Sequence, residues 1–116
     1  DIWNNPYANS NGYSNNYGRI MQDRDFSNFV NQVKKNNAFD DNRIDFIRQQ
    51  KTVNQFSAKQ IQTLISLLSF DKNKVVLAKD LYSSCIDPQN FYIVYDEFTF
   101  SSYKKEIIDF VSRQTR

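Results

Sequence analysis

A phenylalanine followed by a helix-starting polar residue occurs three times at nearly constant spacing. This constrains the fold more than any other feature. The pairs are Phe39-Asp40, Phe70-Asp71 and Phe100-Ser101, thirty-one and thirty residues apart. Each precedes an apolar cluster at matching offsets: Ile44, Phe46 and Ile47; Val75, Leu77 and Ala78; Ile107 and Ile108. A second series interleaves with the first, with Phe26-Ser27, Phe56-Ser57 and Ile86-Asp87 each thirty apart. Two series with one period predict three copies of a helix-turn-helix unit, a repeat of the size that stacks into helical arrays.

Apolar spacing places the helices. Phe26, Phe29, Val30 and Val33 share one face of the first, which begins at Asp23 or Asp25 and carries Lys34 and Lys35 near its end. Asp40 is expected to cap the second. Ser57 opens the third with a capping box to Gln60, and Ile61, Leu64, Ile65 and Leu68 form its stripe. Asp71 is expected to cap the fourth, ahead of Val75, Leu77, Ala78, Leu81 and Tyr82. Asp87-Pro88 opens the fifth, because aspartate is a favoured cap and proline at the first helical position loses no hydrogen bond. Its Phe91, Val94, Tyr95 and Phe98 repeat the offsets of the third-helix stripe. On propensity alone the run from Phe91 to Tyr95 suits a strand, but the Asp-Pro cap and the repeat register favour helix. Ser101 caps the sixth helix, which carries Tyr103, Ile107, Ile108 and Val111.

The predicted fold is all-α: six short helices as three helix-turn-helix hairpin repeats, stacked or closed into a compact bundle. Phe39, Phe70 and Phe100 are expected to plug the joints between helices, as aromatics at fixed helical offsets usually do. Residues 1–22 read as a flexible linker rich in Asn, Tyr, Gly and Ser, and 23–116 as the helical repeat domain. The Asn and Tyr of the linker also fit a weakly self-associating segment, and Ile2 and Trp3 could dock it onto the domain.

The phrasing of residues 23–112 carries a family resemblance. The strings are Phe70-Asp71-Lys72-Asn73-Lys74, Ala78-Lys79-Asp80-Leu81-Tyr82, Asp87-Pro88-Gln89-Asn90-Phe91-Tyr92 and Tyr95-Asp96-Glu97-Phe98-Thr99-Phe100-Ser101-Ser102. They resemble a family of roughly ninety-residue helical domains of unknown function, often found at the C-termini of bacterial secreted or envelope proteins. The resemblance implies an extracytoplasmic position (periplasmic, cell surface or secreted) behind a low-complexity linker. It brings no activity and no catalytic residues.

Composition narrows the chemistry. The absence of histidine removes the usual general base and metal ligand. The single cysteine, Cys85, cannot form an internal disulfide and reads as a buried, inert thiol. A net charge of +2 with interspersed acids does not predict a nucleic-acid partner. Lys34, Lys35, Arg43, Arg48, Lys51, Lys72, Lys74, Lys79, Lys104 and Lys105 read as solvated helix faces. No apolar run approaches the length of a membrane span, and no signal peptide is expected to remain. Asp71-Lys72-Asn73 opens like a calcium loop, but Val76 and Tyr82 stand where that loop needs Gly and Glu. The adjacent acids Asp40-Asp41 and Asp96-Glu97 point in different directions on a helix and do not make an acid/base pair. An enzyme would require convergent groups such as Asp80 with Lys104. No catalytic, metal or cofactor residues are therefore assigned. The surplus of aromatics points to a protein- or peptide-interaction module, with Tyr82, Tyr92, Tyr95 and Tyr103 as the candidate partner-binding residues. A structural spacer or anchor is the alternative.

Overall fold

Helix-starting signals and apolar faces produce the elements in the expected order. The computed structural model describes residues 20–36 and 39–114. The helices are α1 (Asp23–Asn36), α2 (Asp40–Lys51), α3 (Ala58–Ser66), α4 (Asp71–Tyr82), the 3₁₀ helix η1 (Pro88–Glu97) and α5 (Ser101–Gln114). The fold is all-α, with two isolated parallel bridges and no strand among the described residues. In α1, Phe26, Phe29 and Val33 are buried along one face, with Asp23 and Asp25 in the first turn and Lys34 and Lys35 in the last. The Ser57 box closes as expected: the Gln60 amide donates to Ser57 Oγ and the Ser57 amide to Gln60 Oε1, both at 3.1 Å.

The fifth helix is wound as 3₁₀, not as the expected α-helix. Pro88 does occupy its first turn. The run Phe91 to Tyr95 is aromatic and β-branched, so the α-form is only weakly preferred there. Tighter winding aligns side chains three apart. Phe91 and Val94 are then buried together where η1 packs against α3. Packing has decided the winding that propensity left open.

Within the core, α2 and α5 each pack on α4, α3 packs on both α4 and η1, and α1 packs on α2. This order is compatible with stacked hairpins. Phe29 stacks on Phe46 at 5.5 Å and on Phe56 at 6.3 Å, joining α1 and α2 to the segment that leads into α3. At one end of the helices the connections lie side by side. The Met21 amide donates to Gln55 O, the Phe56 amide to Ser84 O and the Ile86 amide to Phe56 O. These bonds reset the second repeat series. Its first member is Ile20-Met21, not Phe26-Ser27, because Ser27 lies inside α1. Met21 is buried at this end, next to the bridge between Ile20 and Gln55. The linker reading of residues 1–19, and the docking of Ile2 and Trp3, fall outside the described residues.

The opposite end departs from expectation. Phe39, Phe70 and Phe100 do not plug joints: they are 71%, 67% and 60% exposed. Beside the first two, Asp40 and Asp71 are buried instead, while Ser101 is exposed. Asp40 and Asp71 begin α2 and α4, yet neither caps its own helix. Asp40 accepts the amides of Ser69 (3.0 Å) and Phe70 (3.2 Å) and the Asn73 side-chain amide (2.9 Å), at the start of α4. Asp71 accepts the amides of Thr99 (2.8 Å) and Phe100 (2.7 Å), at the start of α5. Each aspartate therefore caps the helix about thirty residues ahead. The joint is ionic and hydrogen-bonded, and the ring is left outside.

Removing one of these caps should cost more than removing a ring beside it. Asp40→Ala is expected to destabilise the domain by about 2 kcal/mol, because it strands backbone donors that a charge had satisfied. Phe70→Ala should cost well under about 1 kcal/mol, since surface changes rarely exceed that. Phe56→Ala, at a fully buried ring, should cost about 3–5 kcal/mol. Thermal melts of the three variants measure this ranking, and a Phe70→Ala loss equal to that of Phe56→Ala would contradict the assignment.

Candidate functional site

The exposed phenylalanines occupy one structural position three times. Phe39 and Phe70 have nearly the same extended backbone, φ −113°, ψ 150° and φ −118°, ψ 135°. Each offers its carbonyl to the amide four residues on: Arg43 to Phe39, Lys74 to Phe70 and Lys104 to Phe100. Each ring thus leaves the chain at the cap position of α2, α4 or α5. The aspartate bonds hold Phe39-Asp40 directly against Ser69-Phe70, and Phe70-Asp71 against Thr99-Phe100. The capping bonds thus set the starts of α2, α4 and α5 side by side, each preceded by an exposed ring.

A cation completes each clamp. Arg43 Nη1 donates to Leu67 O, and Lys74 Nζ donates to Glu97 O at 2.8 Å. Arg43 and Lys74 stand three residues after their aspartates, so acid and cation grip the two sides of the following turn. Lys74 also lies 3.7 Å from Asp71. At the start of α5 the corresponding residues are Ser101 and Lys104, and among the described residues no helix follows α5. At the other end Asp87 Oδ1 accepts the Ala58 amide at 2.7 Å, capping α3 from the unit that follows. Asp87 therefore serves α3 and the Asn90 side chain, and makes no side-chain cap to the backbone of η1.

These bonds set the electrostatics. Burial pushes the Asp40 carboxyl up, but Asn73, the Ser69 and Phe70 amides and the Arg43 charge outweigh it, and the net shift is downward. Burial likewise opposes ionisation of Asp87, yet Asn90, the Ala58 amide and the Cys85 thiol hold it below its ordinary value. Cys85 is half-buried, not fully buried, with its sulfur 3.6 Å from Asp87 Oδ1. Burial first, and then the Asp87 charge, push its thiol up to about 11.

Of the four tyrosines, Tyr82, Tyr95 and Tyr103 are partly buried and Tyr92 is exposed. Tyr82 meets Phe91 edge-on at 4.9 Å, and Tyr95 meets the same ring at 6.3 Å. Both are partly buried against the core, and burial followed by the neighbouring Tyr82 raises the Tyr95 hydroxyl. Tyr103 is half-buried against the core. Tyr92 alone of the four is strongly exposed.

The other candidates separate in the same way. Asp80 pairs with Arg48 (2.5 Å) and not with Lys104. Asp71 and Asn73, the start of the calcium-like string, are turned onto backbone amides and onto Asp40. Among the described residues no group of three carboxylate or thiol ligands converges on a metal position. The basic residues scatter: Lys51 binds Asp80 O, and Lys79 binds Glu106 at 2.8 Å and lies over Phe110. Asp41, Ile44, Asp45, Arg48, Asn73 and Val76 line an open groove of about 350 Å³ between α2 and α4. No described helix is long and apolar enough to cross a membrane.

The repeat period in the sequence locates Phe39, Phe70 and Phe100, but burial was the wrong inference from it. A usable signal was present: the acid follows the ring in the first two units and is replaced by serine in the last.

The geometry defines an all-α domain whose successive helix starts are joined by charged caps. The chain belongs to the family described as domain of unknown function (DUF4476), which it matches over residues 20–111. No curated protein and no solved structure matches it.

Two measurements follow from the shifted groups. Since the folded-state value of Asp40 lies below its unfolded value, its stabilisation is full above about pH 4 and is lost as pH falls through the lowered value. Asp40→Asn should flatten the decline of melting temperature between about pH 5 and pH 2. The Cys85 thiol should react with a disulfide reagent at pH 8 about a hundredfold more slowly than an unburied thiol, and should reach normal speed in denaturant. Rapid labelling of the native protein would contradict its placement.

Proposed function

We propose that this domain is a non-catalytic module that binds a protein or peptide partner through Phe39, Phe70 and Phe100. One observation carries the reading: three large apolar rings are held in solvent at equivalent positions of adjacent helices. A single exposed apolar residue needs no explanation, but three large rings exposed at equivalent helix starts suit a contact surface. Covering the rings would contribute about 1–2 kcal/mol each, enough for a reversible complex once association costs are met. The rigid clamps support this role, because the rings need little further ordering on binding.

The non-catalytic part of the reading rests on where the acids point. Asp40, Asp71 and Asp87 already accept two or more hydrogen bonds each from neighbouring turns. They are joints, not available bases. Tyr92 is the one tyrosine of the original four that could add to a surface. An extracytoplasmic position accords with the resemblance carried by the Asp87-Pro88-Gln89-Asn90-Phe91-Tyr92 string, and forms part of the proposal.

Pull-down from an envelope extract tests the module. A Phe39→Ser, Phe70→Ser, Phe100→Ser triple variant should keep its fold, with a melting temperature within about 5 °C of the parent. It should lose the partner that the parent recovers. A Tyr92→Ala, Tyr103→Ala variant should retain that partner. Recovery unchanged by the triple variant would overturn the assignment of this surface.

A further inference from the structure

Two stretches of equal length bridge the same two ends of the domain with different windings. Ser57 to Phe70 and Asp87 to Phe100 each advance thirteen residues. At one end the Ile86 amide donates to Phe56 O, and at the other Asp71, next to Phe70, accepts the Thr99 and Phe100 amides. The first stretch is α3 followed by a link through Leu67, Leu68 and Ser69, and the second is η1. An α-helix rises about 1.5 Å per residue and a 3₁₀ helix about 2.0 Å, so the α form leaves more of the distance to its link. The interval therefore accepts either winding. Ten residues is long for a 3₁₀ helix, whose hydrogen bonds are the poorer of the two and whose runs seldom pass about four residues.

Burial and capping both set η1 apart from α3. Ile61, Leu64, Ile65 and Leu68 are all buried. Of their counterparts thirty residues on, Phe91, Val94 and Phe98 are buried, but Tyr95 is only partly so. An α-turn would bring Tyr95 onto the face of Phe91, and a 3₁₀ turn does not. Ser57 caps the helix it precedes, accepting the Gln60 amide. Asp87 is equally suited to that task but is turned away from it. Its Oδ1 accepts the Ala58 amide at 2.7 Å and its Oδ2 the Asn90 side chain at 3.1 Å, while the Asn90 backbone amide goes to Asp87 O at 2.9 Å. Further along, Gln62 Nε2 donates to Ile93 O at 3.2 Å and to Glu97 Oε2 at 3.1 Å. Lys74 Nζ holds Glu97 O at 2.8 Å. The 3₁₀ form is thus fastened at its entry by Asp87 and at its exit by Gln62 and Lys74.

We propose that η1 is a two-state winding switch with Asp87 as its latch. While the Asp87 carboxylate holds the Ala58 amide, residues 88–97 stay in the 3₁₀ form. When the carboxylate turns to the Asn90 amide, it caps an α-helix over the same residues. Tyr95 then moves onto the Phe91 face, and the last residues pass into a link like that of Leu67, Leu68 and Ser69. The two states exchange hydrogen bonds of the same kind, so a ligand that touches η1 shifts their populations by its preference for one of them. Exposed Tyr92 changes direction in the same step, and the latch thereby sets which surface η1 presents. The switch is independent of the module reading, since it requires nothing bound to Phe39, Phe70 or Phe100.

Ala58→Pro tests the latch. Proline at the first helical position costs α3 no intrahelical bond and removes the amide that Asp87 accepts. Ser57, at φ −75° and ψ 161°, already has the extended backbone that a following proline requires. NMR couplings across hydrogen bonds in the isotope-labelled protein identify the carbonyl that each amide of η1 uses. In the parent the amides of Val94, Tyr95 and Asp96 should bond three residues back, and in Ala58→Pro four residues back. Gln62→Leu, which frees Ile93 O and Glu97, should produce the same shift, and it carries the test if the buried Ala58 site does not accommodate proline. Adding Asp87→Ala to either variant should restore bonding three residues back, because the α form has lost its cap. Bonding four residues back in the parent, or three back in every folded variant, would overturn the switch. An α-helix that persists without Asp87 would overturn its role as the latch.

Discussion

The structure depends on a carboxylate that caps a helix other than its own. A helix start leaves backbone amides without partners, and an acid placed there satisfies them and favours the dipole. In most helices the acid comes from the residue just before. Here Asp40 serves the start of α4 and Asp71 the start of α5. A local requirement has become a long-range bond, and secondary structure in one unit cannot be completed without the next. Arg43 and Lys74 tighten the same turns by holding the carbonyls of Leu67 and Glu97. Asp87 works in the opposite direction, reaching back to Ala58. The middle unit is consequently fastened from both sides.

Those joints explain the position of the aromatic rings. With the acid turned inward, the preceding residue in extended conformation is turned outward. Phe39 and Phe70 share that backbone geometry. Burying the ring would require rotating the acid into solvent and leaving two amides unpaired, a loss comparable to the gain from one buried phenyl group. The exposed row is therefore not a packing defect. It is the other side of the capping arrangement.

The helices and most of the core were readable from the chain because they rest on local rules. Ile61, Leu64 and Ile65 are buried as their spacing demands, and Ser57 with Gln60 caps as its residue types demand. The winding of residues 88–97 was not readable, since two helical forms of similar energy were separated only by how Phe91 and Val94 fit α3. The row was misread for a related reason. A residue type at a fixed period reports that a position is repeated, but not which way it faces. The direction was set by Asp40 and Asp71, whose partners lie about thirty residues away. Tyr82 and Tyr95 show that a periodic position can be shared: both rings meet Phe91 edge-on and stay partly exposed.

Ser101 gives the array a polarity. Asp40 and Asp71 each extend a carboxylate toward the unit that follows, and the third unit offers a short hydroxyl side chain in their place. A unit inserted between the existing ones would find an acid waiting behind it and could extend one ahead. A unit appended after α5 would meet no such acid. Among the described residues the forward-reaching carboxylates therefore run in one direction, from α2 to α4 and from α4 to α5.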